Sequence, residues 1–395
     1  MRIGIDASCW ANRRGYGRYT RELVTAILDA DTSNEYTLFL DSATEHQCPD
    51  LPARARRVVI PTRSAAADAA SAAGHRSLGD LWAMARAVSR GSRELDLFYF
   101  PTVYTFFPVP GRLRPMITVH DTIAERHPHL VFPHWQNRLF WKLKVGWAIR
   151  QAAQIITVSN TARASVSEYF GLDPNAVRVV SDAVSAEFRP VHDPAQLERL
   201  LAAHGLAHGG RFILYVGGIS PHKNIQPLVE AFCSLMNHEA LRDVKLVLIG
   251  DYQGDVFFSS YQSLLERVKA LQAETRVVFT GFVPDADLPH WYTAAEVLVL
   301  PSVDEGFGLP ALEAMACGTA VAASRAGALP EVIGDAGILF DPRSVAELRA
   351  ALERILTDAP LRAGLSAKGL QRAAQFTWQA SARSAIALFQ EVAAR

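Results

Sequence analysis

Two carboxylates, Glu305 and Glu313, stand eight residues apart on either side of a Gly-Phe-Gly turn. The apolar run 297–300 before them is typical of a buried strand, and the apolar spacing of residues 309–317 predicts a helix that stops at Gly318. Glycines let a backbone approach a ligand closely, and the amides at a helix N-terminus bind anions such as phosphate. The segment therefore suits a ligand that carries a phosphate together with the hydroxyl groups of a sugar or ribose.

A second candidate segment follows the apolar run 212–216. It contains Gly217 and Gly218 and, at the start of the next predicted helix, Lys223. A departing diphosphate needs cationic charge, which a lysine supplies as a point charge. The alternative for Lys223 is a solvated residue at a helix start.

The elements that must position these residues alternate between short apolar runs and helical patterns. Runs of this kind indicate parallel sheets covered on both faces, and two series indicate two doubly wound α/β domains. The predicted strands are residues 3–7, 36–40, 58–60, 97–100, 116–120, 155–159, 177–180, 212–216, 245–249, 277–282, 297–300, 320–323 and 337–340. A polar, proline-bearing stretch at 188–194 sets the predicted boundary, giving domains 1–190 and 191–375, followed by a C-terminal helix at 376–395.

Composition indicates a globular chain with no apolar run of 18 residues, hence no expected membrane span. The first strand starts at once and four scattered cysteines lack metal-type spacing, so we expect a cytoplasmic protein with reduced thiols. The net charge is zero, but the two halves differ. Residues 1–190 carry 23 basic and 18 acidic residues, and the remainder carries 17 basic and 22 acidic residues. No basic groove pattern favours nucleic acid.

With its Gly-Phe-Gly-Leu-Pro filling, the Glu305–Glu313 segment resembles the Glu-x7-Glu motif of retaining glycosyltransferases of family 4. The resemblance covers nearly the whole chain and implies the GT-B fold, two Rossmann-like domains facing a cleft, with the C-terminal helix packed on the first domain. It also implies transfer of a sugar from a nucleotide diphosphate donor, as a substrate rather than a cofactor, with retained anomeric configuration and no metal.

The resemblance assigns residues to roles. Glu305 would hold donor-sugar hydroxyls, Glu313 the ribose, and Lys223 the leaving diphosphate, with His120 stabilising the sugar. The resemblance adds a base-binding loop around residues 280–284 whose backbone makes the contacts. The residues expected to bind the donor are Gly15, Gly17, Gly217, Gly218, Lys223, Phe282, Val283, Glu305, Gly306, Phe307, Gly308, Leu309 and Glu313.

The lysine loop departs from the family's Gly-Arg-x4-Lys pattern, because Gly218 occupies the arginine position. Half of the usual cationic clamp is therefore missing from this loop. His222, Arg18 and Arg325 are the candidates for supplying it.

Residues 15–19, Gly-Tyr-Gly-Arg-Tyr, lie before a helix that is expected to run to about Ala30, and they resemble the family's N-terminal glycine loop. They also resemble a degenerate dinucleotide fingerprint with Asp41 as its acidic residue. This leaves a nicotinamide-dependent oxidoreductase or epimerase as an alternative. Thr20 in place of the third glycine and a long turn count against it.

His120 and Asp121 end a predicted strand, where ligands gather in open α/β sheets. In the family, a histidine here contacts the transferred sugar near its anomeric side. The alternative for His120 is a buried structural histidine. Asp121 is as well explained as a cap.

Residues 134–150 contain four basic residues, three tryptophans and no acid. One stripe recurs at every fourth position: Trp135, Leu139, Leu143 and Trp147. Basic and aromatic residues at this spacing suit an anionic membrane surface, which would make the protein peripheral at the inner face of the membrane. The other interpretation, a stripe buried in the domain core, is slightly favoured because Arg150 falls within the stripe.

The His-Asp-Thr-Ile segment and the Gly-Ile-Ser-Pro-His-Lys-Asn loop look most like those of bacterial mannosyltransferases that use GDP-mannose and build surface polysaccharide. UDP-sugar donors remain open. The expected acceptor is a saccharide or a lipid-linked saccharide.

Overall fold

The computed structural model describes residues 1–48, 51–62, 78–132, 134–206, 209–252 and 259–395. The chain forms two compact units, one of residues 1–182 with 377–395 and one of residues 183–376. The first division lies eight residues before the 190/191 boundary that the sequence indicated. Residues 183–190 belong to the second unit because Phe188 packs edge-on against Tyr292, with ring centroids 6.0 Å apart.

The first unit is built on a parallel sheet with the strand order β3-β2-β1-β4-β5-β6-β7. Its strands are β1 (Arg2–Asp6), β2 (Glu35–Asp41), β3 (Arg56–Ile60), β4 (Leu97–Phe100), β5 (Pro115–Thr118), β6 (Gln154–Thr157) and β7 (Val177–Val179). Its described helices are α1 (Gly15–Ala30), α2 (Ser42–Gln47), α3 (Leu78–Gly91), α4 (Ile123–Arg126), α5 (Pro128–Val131), α6 (Trp135–Gln151), α7 (Asn160–Phe170) and, from the C-terminus, α16 (Trp378–Ala394).

The second unit has a parallel sheet of order β10-β9-β8-β11-β12-β13. Its strands are β8 (Phe212–Val216), β9 (Lys245–Ile249), β10 (Val277–Gly281), β11 (Val297–Leu300), β12 (Val321–Ser324) and β13 (Gly337–Phe340). Its described helices are α8 (Pro194–Ala203), α9 (Ile225–Leu235), α10 (Tyr261–Ala270), α11 (Leu288–Ala294), α12 (Leu309–Ala316), α13 (Leu329–Ile333), α14 (Val345–Thr357) and α15 (Ala359–Ala373).

Single 3₁₀ turns complete the described elements, at Ser92–Glu94, Val103–Thr105, Pro174–Ala176, Pro221–Lys223 and Glu239–Leu241. The predicted two-sheet α/β organisation is confirmed, and each predicted strand agrees with an observed one to within two residues at either end. The agreement follows from burial on both faces, which selects continuous apolar runs such as Phe98 to Phe100 and Val297 to Leu300.

The strand order reverses once in each unit, between β1 and β4 and between β8 and β11. At such a point the loops leave neighbouring parallel strands in opposite directions and open a crevice at their carboxyl ends. The segments 217–224 and 301–308 follow β8 and β11, so both candidate segments of the second unit flank its switch point.

Helix α6 corrects an expectation, because its tryptophan and leucine stripe does not face the core. Trp135 and Leu143 are 72% and 65% exposed, and the helix buries a different face through Asn137, Trp141 and Val145. A hydrogen bond to a residue distant in the sequence holds this face inward, because the Trp141 indole donates to the Glu125 carboxylate at 2.7 Å. In the described part of the chain, no helix is long and apolar enough to span a bilayer.

Candidate active site

Lys223 and Glu305 meet at the switch point of the second unit. Lys223 ends the 3₁₀ turn after β8, Glu305 lies in the loop after β11, and the ammonium donates to Glu305 Oε1 at 2.7 Å. Both side chains are largely but not wholly enclosed, at 23% and 12% exposure. A cation and a carboxylate that the sequence separates by 82 residues are therefore brought into one polar pair at the end of neighbouring strands.

Glu305 is held in its ionised form. Burial alone would raise its pKa, but the charge and hydrogen bond of Lys223, with a further bond from the Ser302 hydroxyl at 2.7 Å, lower the pKa below the usual carboxyl range. The Ser324 hydroxyl in turn donates to the Ser302 carbonyl. The site thus presents a fixed anion and a fixed cation, suited to sugar hydroxyls and to phosphate respectively.

The two loops are tied together by their backbones as well. The Val303 amide donates to the His222 carbonyl at 2.9 Å. Asn224, in the left-handed conformation at φ 56°, donates through its side chain to the carbonyls of Pro301 and Pro342 at 3.0 and 2.8 Å. Asparagine tolerates this conformation better than most residues, which explains its place between the lysine turn and α9.

Two glycines beside this pair have positive φ angles, which favour glycine over other residues. Gly308 has φ +99° immediately before α12, so the helix N-terminus is open to the loop rather than covered by a side-chain cap. Gly327 has φ +54°, and a Cβ there would lie 2.3 Å from the Glu305 carbonyl oxygen. The backbone of the β12–α13 loop therefore presses directly on the backbone of Glu305, where only glycine fits.

The other residues of the second unit that the sequence assigned to donor binding are partly in the core and partly at the surface. Gly217 donates its amide to Ile249, and the Gly218 carbonyl accepts from Tyr215. Phe307 is buried against Phe376 at 5.7 Å. Leu309 is likewise buried, Gly306 lies between Glu305 and Phe307, and of the base-loop pair Phe282 is exposed while Val283 is buried.

Glu313 lies in the body of α12 and is 2% exposed. Tyr292, from α11, donates its hydroxyl to Glu313 Oε2 at 2.7 Å. Nothing in the local sequence pattern points to Tyr292, which precedes Glu313 by 21 residues, so sequence reasoning missed it, as it missed Ser302. Ser302 carries a weak signal, since it is a hydroxyl two residues past a buried strand.

Replacing Tyr292 with phenylalanine is expected to lower the free energy of unfolding by about 1–3 kcal/mol, because a buried carboxylate loses a hydrogen-bond donor. If Glu313 also binds the ribose, nucleotide affinity should fall with it. Urea unfolding and nucleotide titration measure the two separately. A Tyr169→Phe variant removes a hydroxyl from an exposed residue of α7, in the first unit, and serves as the control. Unchanged unfolding in Tyr292→Phe would contradict the role of this bond.

In the first unit, His120 follows β5 and is packed edge-on against Tyr19, with ring centroids 4.9 Å apart. One ring nitrogen, Nε2, is 3.1 Å from the Pro101 carbonyl oxygen. Burial lowers the pKa of His120 to about 4, only partly offset by that carbonyl. The imidazole is therefore neutral near neutral pH and keeps Nε2 engaged with the backbone.

This shift predicts a pH dependence of stability. The pKa of His120 in the folded protein, about 4, lies below the ordinary value of 6.5. The contribution of the neutral imidazole to the free energy of unfolding is therefore fully present above pH 6.5 and is lost as the pH falls toward 4. The loss amounts to about 3 kcal/mol. Glu125, whose pKa burial raises to about 7, titrates in the same range with the opposite sign. The measurement is therefore the difference in urea unfolding between wild type and His120→Gln across this range. Parallel curves would contradict the prediction.

The glycine segment of the first unit differs from the expected loop. Gly15 is the first residue of α1, and Gly17 lies within its first turn. A Cβ at Gly17 would come 2.0 Å from the Asn12 carbonyl oxygen, so the glycine is needed for close packing of the preceding turn on the helix. The long connection is residues 7–14, between β1 and α1.

Two further sequence candidates have structural roles. Asp121 accepts the Ile123 amide at 2.9 Å and so fixes the turn that enters α4. The Arg325 guanidinium donates to the Leu339 carbonyl at 3.1 Å on the exposed side of the β12–α13 loop. His222 is better placed to assist Lys223, because its charge, when present, contributes to lowering the pKa of Glu305.

Comparison with known proteins places both halves of the chain in known families. Residues 13–188 match the profile of Glycosyltransferase Family 4 and residues 198–372 that of Glycosyl transferases group 1. The O-antigen chain mannosyltransferase B of Escherichia coli is 35% identical over 280 residues, which are 69% of each chain. The serotype-specific mannosyltransferase WbdA of Escherichia coli is 35% identical over 289 residues, 70% of this chain but 34% of that protein, so this chain spans about a third of its length.

The fold has solved counterparts. The Anabaena Alr3699/HepE structure in complex with UDP and glucose superimposes with a TM-score of 0.75 at 21% identity, over 99% of this chain and 100% of that one. Its similarity concerns the fold, two parallel-sheet Rossmann-like domains of the GT-B class. With both halves matched by family profiles and a relative aligned over more than two thirds of its length, the chain belongs to the family 4 glycosyltransferases.

Proposed function

We propose that this protein is a retaining mannosyltransferase that moves mannose from GDP-mannose to a saccharide or lipid-linked saccharide acceptor during surface polysaccharide synthesis. The observation that carries the proposal is the Lys223–Glu305 pair at the switch point of the second unit. The choice of mannose rests on the similarity to the O-antigen chain mannosyltransferase of Escherichia coli.

Lys223 is assigned to the leaving diphosphate. Its side chain is 23% exposed and already paired with a carboxylate, so an incoming phosphate can reach the cation and join the existing ion pair. The backbone amides of Phe307, Gly308 and Leu309, where the turn enters α12, are assigned to the same negative charge. Together they stabilise the charge that develops as the bond between sugar and diphosphate breaks.

Glu305 is assigned to hydroxyl groups of the transferred sugar. The carboxylate stays ionised and is braced on one oxygen, Oε1, by Lys223 and Ser302. A fixed acceptor of this kind orients a hydroxyl donor without rearranging. Glu313 is assigned to the ribose, and it also braces α12 through Tyr292. His120 retains its assignment to the sugar as positive charge develops.

The reaction is proposed to need no metal, because Lys223 and the helix amides provide the positive charge that a divalent ion provides in other transferases. Treatment with EDTA is therefore expected to leave the initial rate unchanged, and added Mg²⁺ or Mn²⁺ should not raise it. The measurement is nucleoside diphosphate release under both conditions. A rate that falls with EDTA and returns with one of these ions would contradict metal independence.

Thermal-shift binding tests the donor assignment, with GDP, UDP, ADP, dTDP, NAD and NADP compared on the full chain. A ligand that binds only the folded state raises the melting temperature by mass action. The proposal predicts the largest shift with GDP. A shift with UDP instead would favour the alternative of a UDP-sugar donor, in line with the UDP complex of the Anabaena protein. A shift with NAD or NADP alone would overturn the transferase proposal and point to residues 15–41.

A further inference from the structure

Helix α6 is apolar on two sides, and the described residues of its own domain cover one of them. The covered side packs Asn137, Trp141, Val145 and Ala148 against the sheet unit. On the other side five large apolar side chains are between 38% and 72% exposed: Trp135, Leu139, Phe140, Leu143 and Trp147. Neighbouring apolar side chains exposed together ordinarily mark an interaction surface, so this exposed side calls for a partner.

The helix is held firmly in this orientation. The Trp141 indole donates to Glu125, and the Lys144 ammonium donates to the Tyr104 carbonyl beneath the helix. Lys144 also lies over the Trp141 ring, 5.7 Å from its centroid. Turning the outer stripe inward would break these bonds, so the exposed apolar residues cannot be reburied by rotation of the helix.

Cationic charge borders the same outward side. At about 100° per residue, Arg138 and Lys142 lie along one edge of the stripe and Arg150 lies within it, and all three residues are exposed. The stretch from His134 to Gln151 contains no acidic residue. The exposed side is therefore apolar at its centre and positive along its margin.

We propose that this outward side of α6, which we call the α6 outer face, binds an anionic lipid surface with the helix lying parallel to the membrane plane. Trp135 and Trp147 stand near the two ends, about 18 Å apart along the axis, where both indoles can enter the headgroup region together. Leu139 and Leu143 between them contact the acyl boundary, and the cations meet lipid phosphates.

The charge pattern selects lipid over a second copy of this chain. Two outer faces packed against each other would bring the cations of one copy, Arg138, Lys142 and Arg150, toward those of the other, with no acid on either helix to compensate. Like charges brought together in this way oppose association. A bilayer that contains acidic headgroups supplies the missing negative charge and an apolar layer at the same time.

Vesicle cosedimentation of the full chain tests this inference. Vesicles of phosphatidylcholine with phosphatidylglycerol are compared with vesicles of phosphatidylcholine alone. Wild type is expected to bind the anionic vesicles, with affinity falling as salt increases. A Trp135→Gln/Leu143→Gln/Trp147→Gln variant should lose binding. An Arg138→Gln/Lys142→Gln variant should bind the anionic vesicles about fivefold more weakly for each charge removed. Glutamine keeps helix propensity, so the helix should persist.

Matched changes elsewhere serve as controls. Leu370→Gln removes an exposed leucine of α15 in the second unit, and Arg383→Gln removes an exposed cation of α16. Both controls should bind like wild type. Quenching of tryptophan fluorescence by brominated lipid should occur in wild type and diminish when Trp135 and Trp147 are replaced.

Three outcomes would overturn the proposal. The first is failure of wild type to bind anionic vesicles. The second is undiminished binding by the variant in which Trp135, Leu143 and Trp147 are replaced. The third is an equal loss of vesicle binding in the two control variants. Sedimentation velocity adds a fourth: concentration-dependent self-association that the outer-face substitutions abolish, without vesicle binding, would assign the surface to a second copy. None of these readouts depends on transferase activity.

Discussion

A Lys223→Ala variant is expected to lose roughly 10²–10³ in kcat, the usual effect of removing one preorganised charge contact to a transition state. The diphosphate would depart without its cation, while the sheet and the glycine turn remain. KM for the donor should change less than kcat, because the charge on the diphosphate is greatest as the bond breaks. Initial rates of nucleoside diphosphate release measure both constants.

The matched control for this variant is Lys269→Ala, which removes an exposed lysine at the end of α10. It should retain wild-type kinetics. Loss of Lys223 also leaves Glu305 without its principal charge partner, so the pKa of that carboxyl should rise toward the value that burial favours. Near-normal turnover in a folded Lys223→Ala protein would show that the diphosphate assignment is wrong.

A Gly327→Ala variant should combine strain with displacement of the site. The residue has φ +54°, which costs an alanine about 1–2 kcal/mol. Its new Cβ would also lie 2.3 Å from the Glu305 carbonyl oxygen and 2.4 Å from the Glu305 nitrogen. Neither backbone atom can rotate away, so the loop that carries Glu305 has to move. We expect a loss of about 3 kcal/mol in unfolding free energy and, for a shift near 1 Å, about 10²-fold in kcat.

Gly171→Ala separates strain from displacement. Gly171, at the C-terminal end of α7, is left-handed with φ 65° and ψ 39°, and no described atom would lie within 4 Å of a Cβ at that position. That variant should lose stability through strain alone and keep its kcat. Urea unfolding and initial rates on both variants give the comparison. Equal kcat in the two variants would mean that Gly327 does not fix the position of Glu305.

The sequence predicted the sheets well because parallel strands buried on both faces leave one unambiguous trace, a short run of apolar residues. It predicted the neighbourhood of Glu305 and Lys223 for a related reason. Each follows such a run, and the carboxyl ends of parallel strands meet at one edge. The sequence did not predict which side chains hold the site residues in place by hydrogen bonds. Ser302 and Tyr292 act through contacts whose partners are fixed only by the fold.

Helix α6 shows why periodicity failed to identify the core face. Both sides of the helix are apolar, so spacing alone could not choose between the stripe of Trp135 and the side of Trp141. The choice is made by Glu125 and by the Tyr104 carbonyl, which lie 16 and 40 residues away in the chain from their partners.

Similarly, the Gly15–Gly17 pattern suggested a loop, whereas Gly17 is required inside a helix by the neighbouring Asn12 carbonyl.

The most direct test of the proposed reaction is proton NMR of GDP-mannose incubated with the full chain, with water or added saccharide as acceptor. The mannose of this donor is α-linked, so a retaining transferase must release GDP together with an α-configured sugar at the earliest times, before mutarotation. The same spectra with Lys223→Ala should show little GDP. An initial β-configured product would contradict retention, and an inert GDP-mannose beside a consumed UDP-sugar would contradict the proposed donor.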